Sequence, residues 1–426
     1  MFVFDDVPLP KLGLTGLEGM MSEEELAIQE VAHRFAEDIM RPIGEKMDKL
    51  TAEQAVSEDS PVWEFYQKLD ESGIFDLEAI GGMSNEEKAR ILPIILEEFA
   101  WGDAGLTLLS MVTHFAAITA VSTGKAELIE RFAHLRGCWI GTQPDRGSDV
   151  LDIDKTESIP GSKHGRGNLI ARVDGDELVI SGQTSAWVSG APLAECGLMY
   201  TQCDYGDGIY REDGGLHYVG VLVPFDLPGF SRGLPLEKLG LRSLPQGELY
   251  FDEVRVPMSY VIAGKDTAYP SFFGSLTFGN MEMSVTYTGI ARAAYEHALD
   301  YVHERKQGGG VIINHQSVRV RLFDMFRNVE ACRAMAHRAF NYNYGPNGPH
   351  LLGSATAKTF VTKTSVDVTS EALQMFGGNG LTKEYPLEKL FRDARAGLIT
   401  DGENNVLSLK GGTMLSNIFK DKHGLT

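Results

Sequence analysis

Apolar residues recur at helical spacing through the first third of the chain and again through the last third, with a different rhythm between them. Leu26, Ile28, Val31, Phe35 and Ile39 follow Ser22, which suits an N-cap ahead of Glu23, Glu24 and Glu25. Pro42 is expected to end that helix. The pattern predicts further helices at roughly 61–72, 84–102, 104–123 and 125–134. The apolar run from Leu108 to Val121 is broken by Thr113 and His114 and is short for a membrane span. It reads as a buried core helix.

After about Trp139 the period shortens. Leu169, Ala171 and Val173 alternate, Asp174-Gly175 supplies a turn, and Leu178 and Ile180 resume the alternation. Residues 218–223 and 249–254 are further expected strands, and short strands divided by Gly, Pro and Asp suggest a small β-sandwich or barrel. From about Pro270 the helical period returns. Ile290, Ala294, Ala298 and Val302 mark a long helix that Gly308-Gly309-Gly310 is expected to terminate, and residues 318–342 and 354–376 predict two more. The expected class is α+β: a helical domain over 1–138, a central β-domain over 139–265 and a C-terminal four-helix bundle over 266–426.

Composition narrows the function. At 426 residues the chain is too long for one compact core, and 43% hydrophobic with 23% charged residues is ordinary for a globular protein. A net charge of −20 argues against nucleic acid and requires local basic residues for any anionic ligand. Cys138, Cys196, Cys203 and Cys332 form no C-x-x-C pair, so buried thiols in a reducing, cytoplasmic setting are expected, with no metal site. Asp5 and Asp6 and the absence of a basic start do not suggest a secretory signal.

Candidate chemistry concentrates in residues 371–406. Gln374 precedes a Gly377-Gly378-Asn379-Gly380 turn, where missing side chains allow close backbone approach. A helix C-cap and loop is the alternative for that turn alone. An Arg392-Asp393-Ala394-Arg395 segment follows, and the apolar pair Leu398-Ile399 leads to a single carboxylate, Asp401, placed as a proton-abstracting base. Residues 141–149, GTQPDRGSD, offer the Thr142 and Ser148 hydroxyls and several backbone N–H groups as a cradle. Residues 186–191, AWVSGA, present Trp187 and Ser189; Trp187 is otherwise a core residue. Arg305 closes the long helix with a guanidinium suited to a phosphate, or stands there as a solvated charge.

Together these segments resemble the flavin-dependent acyl-CoA dehydrogenases, over about residues 22–418. The resemblance implies FAD as cofactor, held by Thr142, Ser148, Trp187, Ser189, Arg305, Gln374, Gly377, Gly378, Glu403 and Asn405. It implies α,β-dehydrogenation of an acyl-CoA thioester, with Asp401 taking the α-proton while the β-hydride passes to flavin N5. Gly402 would lie against the substrate, and Arg146, Lys163 and Arg166 are candidates for the coenzyme A phosphates, with a solvated surface loop as the alternative. A homotetramer whose FAD site is completed by a neighbour's Arg305 and Gln374 is implied, as is an electron acceptor such as an electron-transfer flavoprotein.

Several positions depart from the family pattern. Asp401 stands where most members have Glu, Gln143 for Glu, Glu403 for a flavin-contacting Thr, Asn280 for an Arg near coenzyme A, and Gly308 for a Phe. Some branches carry the base on the long helix; that position is Gly279, with Glu282 nearby. An oxidase of the same fold, similar to nitroalkane oxidase, is the alternative enzyme, since that branch has Asp in an Asp-Gly context. Its Arg seven residues further on is Ser408 here, and its serine near N5 is Gly279. A non-catalytic member of the fold is the alternative from another class.

Overall fold

The computed structural model describes residues 21–152, 167–212 and 214–425. Lys163 and Arg166 lie outside the described residues. The chain opens with α1 (Glu23–Phe35), whose start is a capping box: the Ser22 hydroxyl accepts from Glu25 N and the Glu25 carboxylate accepts from Ser22 N. Pro42 does not end this helix. A π-helical stretch, Ala36–Met40, carries the chain into α2 (Arg41–Met47), and Pro42 sits in the first turn of α2, where the wider π turn before it accommodates the ring.

Next come α3 (Pro61–Ser72), the short α4 (Leu77–Gly82), α5 (Asn85–Thr123) and α6 (Ala126–Phe132). Asp103 leaves helical geometry inside α5 and caps its second half through Leu106 N. The two helices expected on either side of residue 103 are therefore two arms of one kinked rod. By length and composition α5 is apolar enough to cross a membrane, yet most of it is buried in the fold.

The strands are β1 (Trp139–Ile140), β2 (Ile170–Asp174), β3 (Glu177–Gln183), β4 (Val188–Ser189), β5 (Cys196–Asp204), β6 (Tyr218–Pro224), β7 (Phe230–Pro235), β8 (Gln246–Pro257) and β9 (Val261–Ala263). They form one sheet in the order β4-β8-β3-β2-β5-β6-β9, with β1 pairing parallel to β5 and β7 antiparallel to β8. The β2–β3 hairpin turns at Gly175, whose φ of +66° suits a residue without Cβ.

The C-terminal part holds α7 (Ala268–Glu304), α8 (Gln316–Asn343), α9 (Leu351–Phe376), α10 (Leu387–Ala396) and α11 (Asn404–His423). The long helix ends at Glu304, before the glycines. Gly308 and Gly309, both with positive φ, instead turn a small hairpin of β10 (Lys306–Gln307) and β11 (Gly310–Val311). One apolar core joins the N-terminal helices to the C-terminal bundle through Phe99, Leu106, Tyr287, Ile290 and Phe340. A second fills the sheet, and a third ties α5 and β5 to the start of α7 through Ala116, Tyr200 and Phe272. All four cysteines are buried free thiols.

Candidate active site

The turn between α10 and α11 carries the base candidate. Gly397 caps α10, and its backbone packs so tightly on the Tyr287 ring that an added Cβ would lie 2.4 Å from that ring. The chain then enters the left-handed region at Asp401 (φ +51°) and stays at positive φ at Gly402 (+99°). Aspartate tolerates this conformation better than most residues with a side chain, because its short polar group can bond locally. Asp401 Oδ2 faces α7 and would lie 3.1 Å from a Cβ added at Gly279. The glycine leaves the room the carboxyl occupies.

Three contacts fix the turn. Asn280 Nδ2 donates to the Asp401 carbonyl at 3.0 Å and to Leu276 O at 3.0 Å. Lys358, buried on α9, donates from Nζ to Gly402 O at 2.7 Å and to Asn404 Oδ1 at 2.8 Å. Ser148 Oγ, from the β-domain, accepts from Glu403 N at 2.9 Å. Ser148 therefore meets the 401–405 turn directly, and the cradle and the base form one site. The Asp401 N–H finds no acceptor among the described residues.

Burial pushes the Asp401 carboxyl above the usual carboxylate range, and Lys358 opposes that rise. Burial in turn lowers the Lys358 ammonium, which Asp401 and Glu403 help to keep charged. Glu403, the second candidate acid, is the N-cap of α11; its carboxylate accepts from Asn405 N, Val406 N and Asn405 Nδ2. That role is structural. Gly402 packs between Leu151 and Leu407.

On the β-domain, Thr142 Oγ1 lies 2.7 Å from Ser185 Oγ. Gln246 Nε2 donates to Trp187 O and Ser189 Oγ. Trp187 is 60% exposed, so it is not a core residue of the sheet but an aromatic face open at the edge of this cluster. Gln143 Oε1 accepts from Leu169 N at 2.8 Å inside the sheet. Arg146, expected near coenzyme A phosphates, is 2% exposed and bonds Asp149, so it is a buried cation rather than a surface one.

Arg305, Gln374, Gly377 and Gly378 are exposed and make no hydrogen bond or ion pair to the Asp401 group among the described residues. They are neighbours of one another. Tyr301 stacks on Phe376 at 3.8 Å, its hydroxyl accepts from Asn379 Nδ2, and its carbonyl accepts from Arg305 N. Sequence reasoning missed Lys358, Ser185 and Gln246. A lysine amid the small and apolar residues of 354–361 was a readable signal; the other two carried none.

The chain is similar to known proteins over most of its length. The acyl-CoA dehydrogenase N-terminal, middle and C-terminal domains match residues 22–134, 138–254 and 271–411. Isobutyryl-CoA dehydrogenase of Dictyostelium discoideum is 28% identical over 99% of this chain and 93% of its own. Benzylmalonyl-CoA dehydrogenase of Aromatoleum aromaticum is 28% identical over 91% and 97%. Among solved structures, butyryl-CoA dehydrogenase of Megasphaera elsdenii superposes with a TM-score of 0.78 at 23% identity, covering 93% of this chain and 99% of that one. The chain belongs to the acyl-CoA dehydrogenase family of FAD-dependent oxidoreductases.

Proposed function

We propose that this protein oxidises the α,β bond of an acyl-CoA thioester, with Asp401 as the base. The observation that carries the reading is the Asp401 turn: an enclosed carboxyl with raised proton affinity beside an N–H that lacks an acceptor among the described residues. A thioester carbonyl bonded to that N–H would bring its α-carbon to the carboxyl, and the N–H would stabilise negative charge developing on the carbonyl oxygen. Asp401 takes the α-proton, the electrons of that C–H bond form the double bond, and hydride leaves the β-carbon. FAD, when bound, supplies the acceptor for that hydride.

The residues present suit FAD. Trp187 offers an exposed aromatic wall, Thr142, Ser148 and Ser189 offer hydroxyls, and Asn405 stands at the start of α11. Arg305, Gln374, Gly377 and Gly378 form an exposed second patch suited to a neighbouring subunit's cofactor in a homotetramer. An electron-transfer flavoprotein as acceptor and a cytoplasmic, reducing location complete the reading; the buried free thiols support the latter. The relatives' names span branched and aromatic acyl groups, so the thioester rather than one chain is the common element.

Asp401→Asn keeps shape and polarity and removes proton acceptance. It should retain FAD and slow flavin bleaching by acyl-CoA by at least about 100-fold, the scale of a positioned general base. A wild-type rate in anaerobic stopped flow would remove Asp401 from the mechanism. Asp401→Glu should also impair the reaction. Oδ2 already abuts α7 at Gly279, so a longer acid overpacks or retreats, and about 1 Å of displacement costs on the order of 100-fold.

A further inference from the structure

Around Asp401, four enclosed polar atoms lack a hydrogen-bond partner among the described residues: Asn280 Oδ1, Glu282 Oε2, Tyr287 OH and Thr400 Oγ1. Buried polar groups in folded proteins are normally satisfied, so such a cluster calls for a partner. The Tyr287 and Thr400 hydroxyls lie close enough to interact with each other, which leaves Asn280 and Glu282 as the members without any such neighbour. Tyr287 and Glu282 both sense the charge of Asp401. Glu282 lies one turn of α7 beyond Gly279, about 4.5 Å along the axis at 1.5 Å per residue.

Glu282 is the unusual member. Its proton affinity is pushed up to about 8, first by burial and then by the charge of Asp401. At neutral pH it is therefore largely a neutral acid with an O–H to donate. The Tyr344 phenol is also near enough to sense Glu282, and it closes the same corner from the turn after α8. No cation pairs with Glu282 among the described residues, and the charge it senses is that of Asp401.

We propose that Glu282 is a specificity determinant, and that the acyl group carries a neutral oxygen, a hydroxyl or ketone, distal to the oxidised bond and hydrogen-bonded to Glu282. This deepens the dehydrogenase reading and rests on it. A plain alkyl chain would bury the Glu282 carboxyl without a partner, which disfavours such substrates strongly. A substrate carboxylate is disfavoured by the negative charge of Asp401 on the same wall.

The test is anaerobic flavin bleaching with chain-matched acyl-CoAs that differ only in one distal oxygen, for the wild type, Glu282→Gln and Glu282→Leu, each checked for FAD content. Wild type should favour the oxygenated member by at least about 10-fold in reduction rate over KM, the low end for one buried hydrogen bond. Glu282→Gln keeps a donor and should retain the preference. Glu282→Leu should abolish or invert it by gaining rate on the plain alkyl chain. Bleaching by plain chains with no wild-type preference would overturn the inference alone, and so would a preference unchanged in Glu282→Leu. Bleaching by neither kind of acyl-CoA would overturn the dehydrogenase reading and this inference with it.

Discussion

Lys358 sets how the base behaves with pH. Burial raises the proton affinity of Asp401, and the ammonium on α9 pulls it back. The reaction needs the carboxylate, so rate is present above the folded-state pKa of Asp401 and lost as pH falls through it. Lys358→Met removes the opposing charge, and the Asp401 pKa moves further up. The acid limb of kcat/KM should shift to higher pH by at least about one unit, the usual scale of one nearby opposite charge. Lys358 also holds Gly402 O and Asn404 Oδ1, so some rate should be lost at every pH. A uniform loss with an unmoved midpoint would leave Lys358 only a structural role. Asp401 itself was legible in the sequence as an acid after an apolar pair. The partners of Asn280 and Lys358 were not, because their contacts span 121 and 44 residues, although a lysine in an apolar stretch marked Lys358 as unusual.

At the scale of elements, a buried ionic cluster joins α5, α7 and α8. Arg333 bonds Glu97 through Nη2 at 2.7 Å and Nε at 3.0 Å, while Arg292 bonds Glu98 at 3.0 Å and Glu296 at 2.8 Å. Both arginines are nearly inaccessible. Removing Arg333 leaves Glu97 only the longer 3.4 Å contact to Arg292, and breaking a buried pair typically costs about 3–5 kcal/mol. Arg333→Met should lower the denaturant midpoint accordingly, and adding Glu97→Leu should recover part of the loss. Strictly additive losses would show that the pair is not coupled. Helix starts at Ser22 and Ser84 and the break near residue 103 arise from local chemistry, so they were readable. β5 was not. It is buried along nearly its whole length and shows no alternation, and its Thr201 and Gln202 side chains are satisfied by the carbonyls of Leu169 and Gly167. The β10–β11 hairpin was also hidden, since a run of three glycines signals the end of a helix and carries no strand pattern of its own.

At the scale of the molecule, the proposed homotetramer would draw on exposed apolar side chains. Val320 and Phe323 on α8 are each 61% exposed, and Leu415, Ile418 and Phe419 on α11 are at least half exposed. Arg305 and Gln374 stand on the surface beside the Tyr301–Phe376 stack, with no ion pair for Arg305 among the described residues. Exposed apolar side chains on α8 and α11 suit a contact between copies, and the exposed Arg305 guanidinium would suit a neighbour's cofactor phosphates. FAD retention should then depend on assembly. In a dilution series monitored by sedimentation and flavin fluorescence, FAD release and dissociation of the oligomer should share one midpoint. Arg305→Ala should keep the oligomeric state and weaken FAD binding by about 10- to 100-fold, the range for one charge-assisted hydrogen bond. A monomer that keeps FAD at low micromolar concentration would place the whole cofactor site within one chain, and Arg305 would then be only a solvated charge at the end of α7.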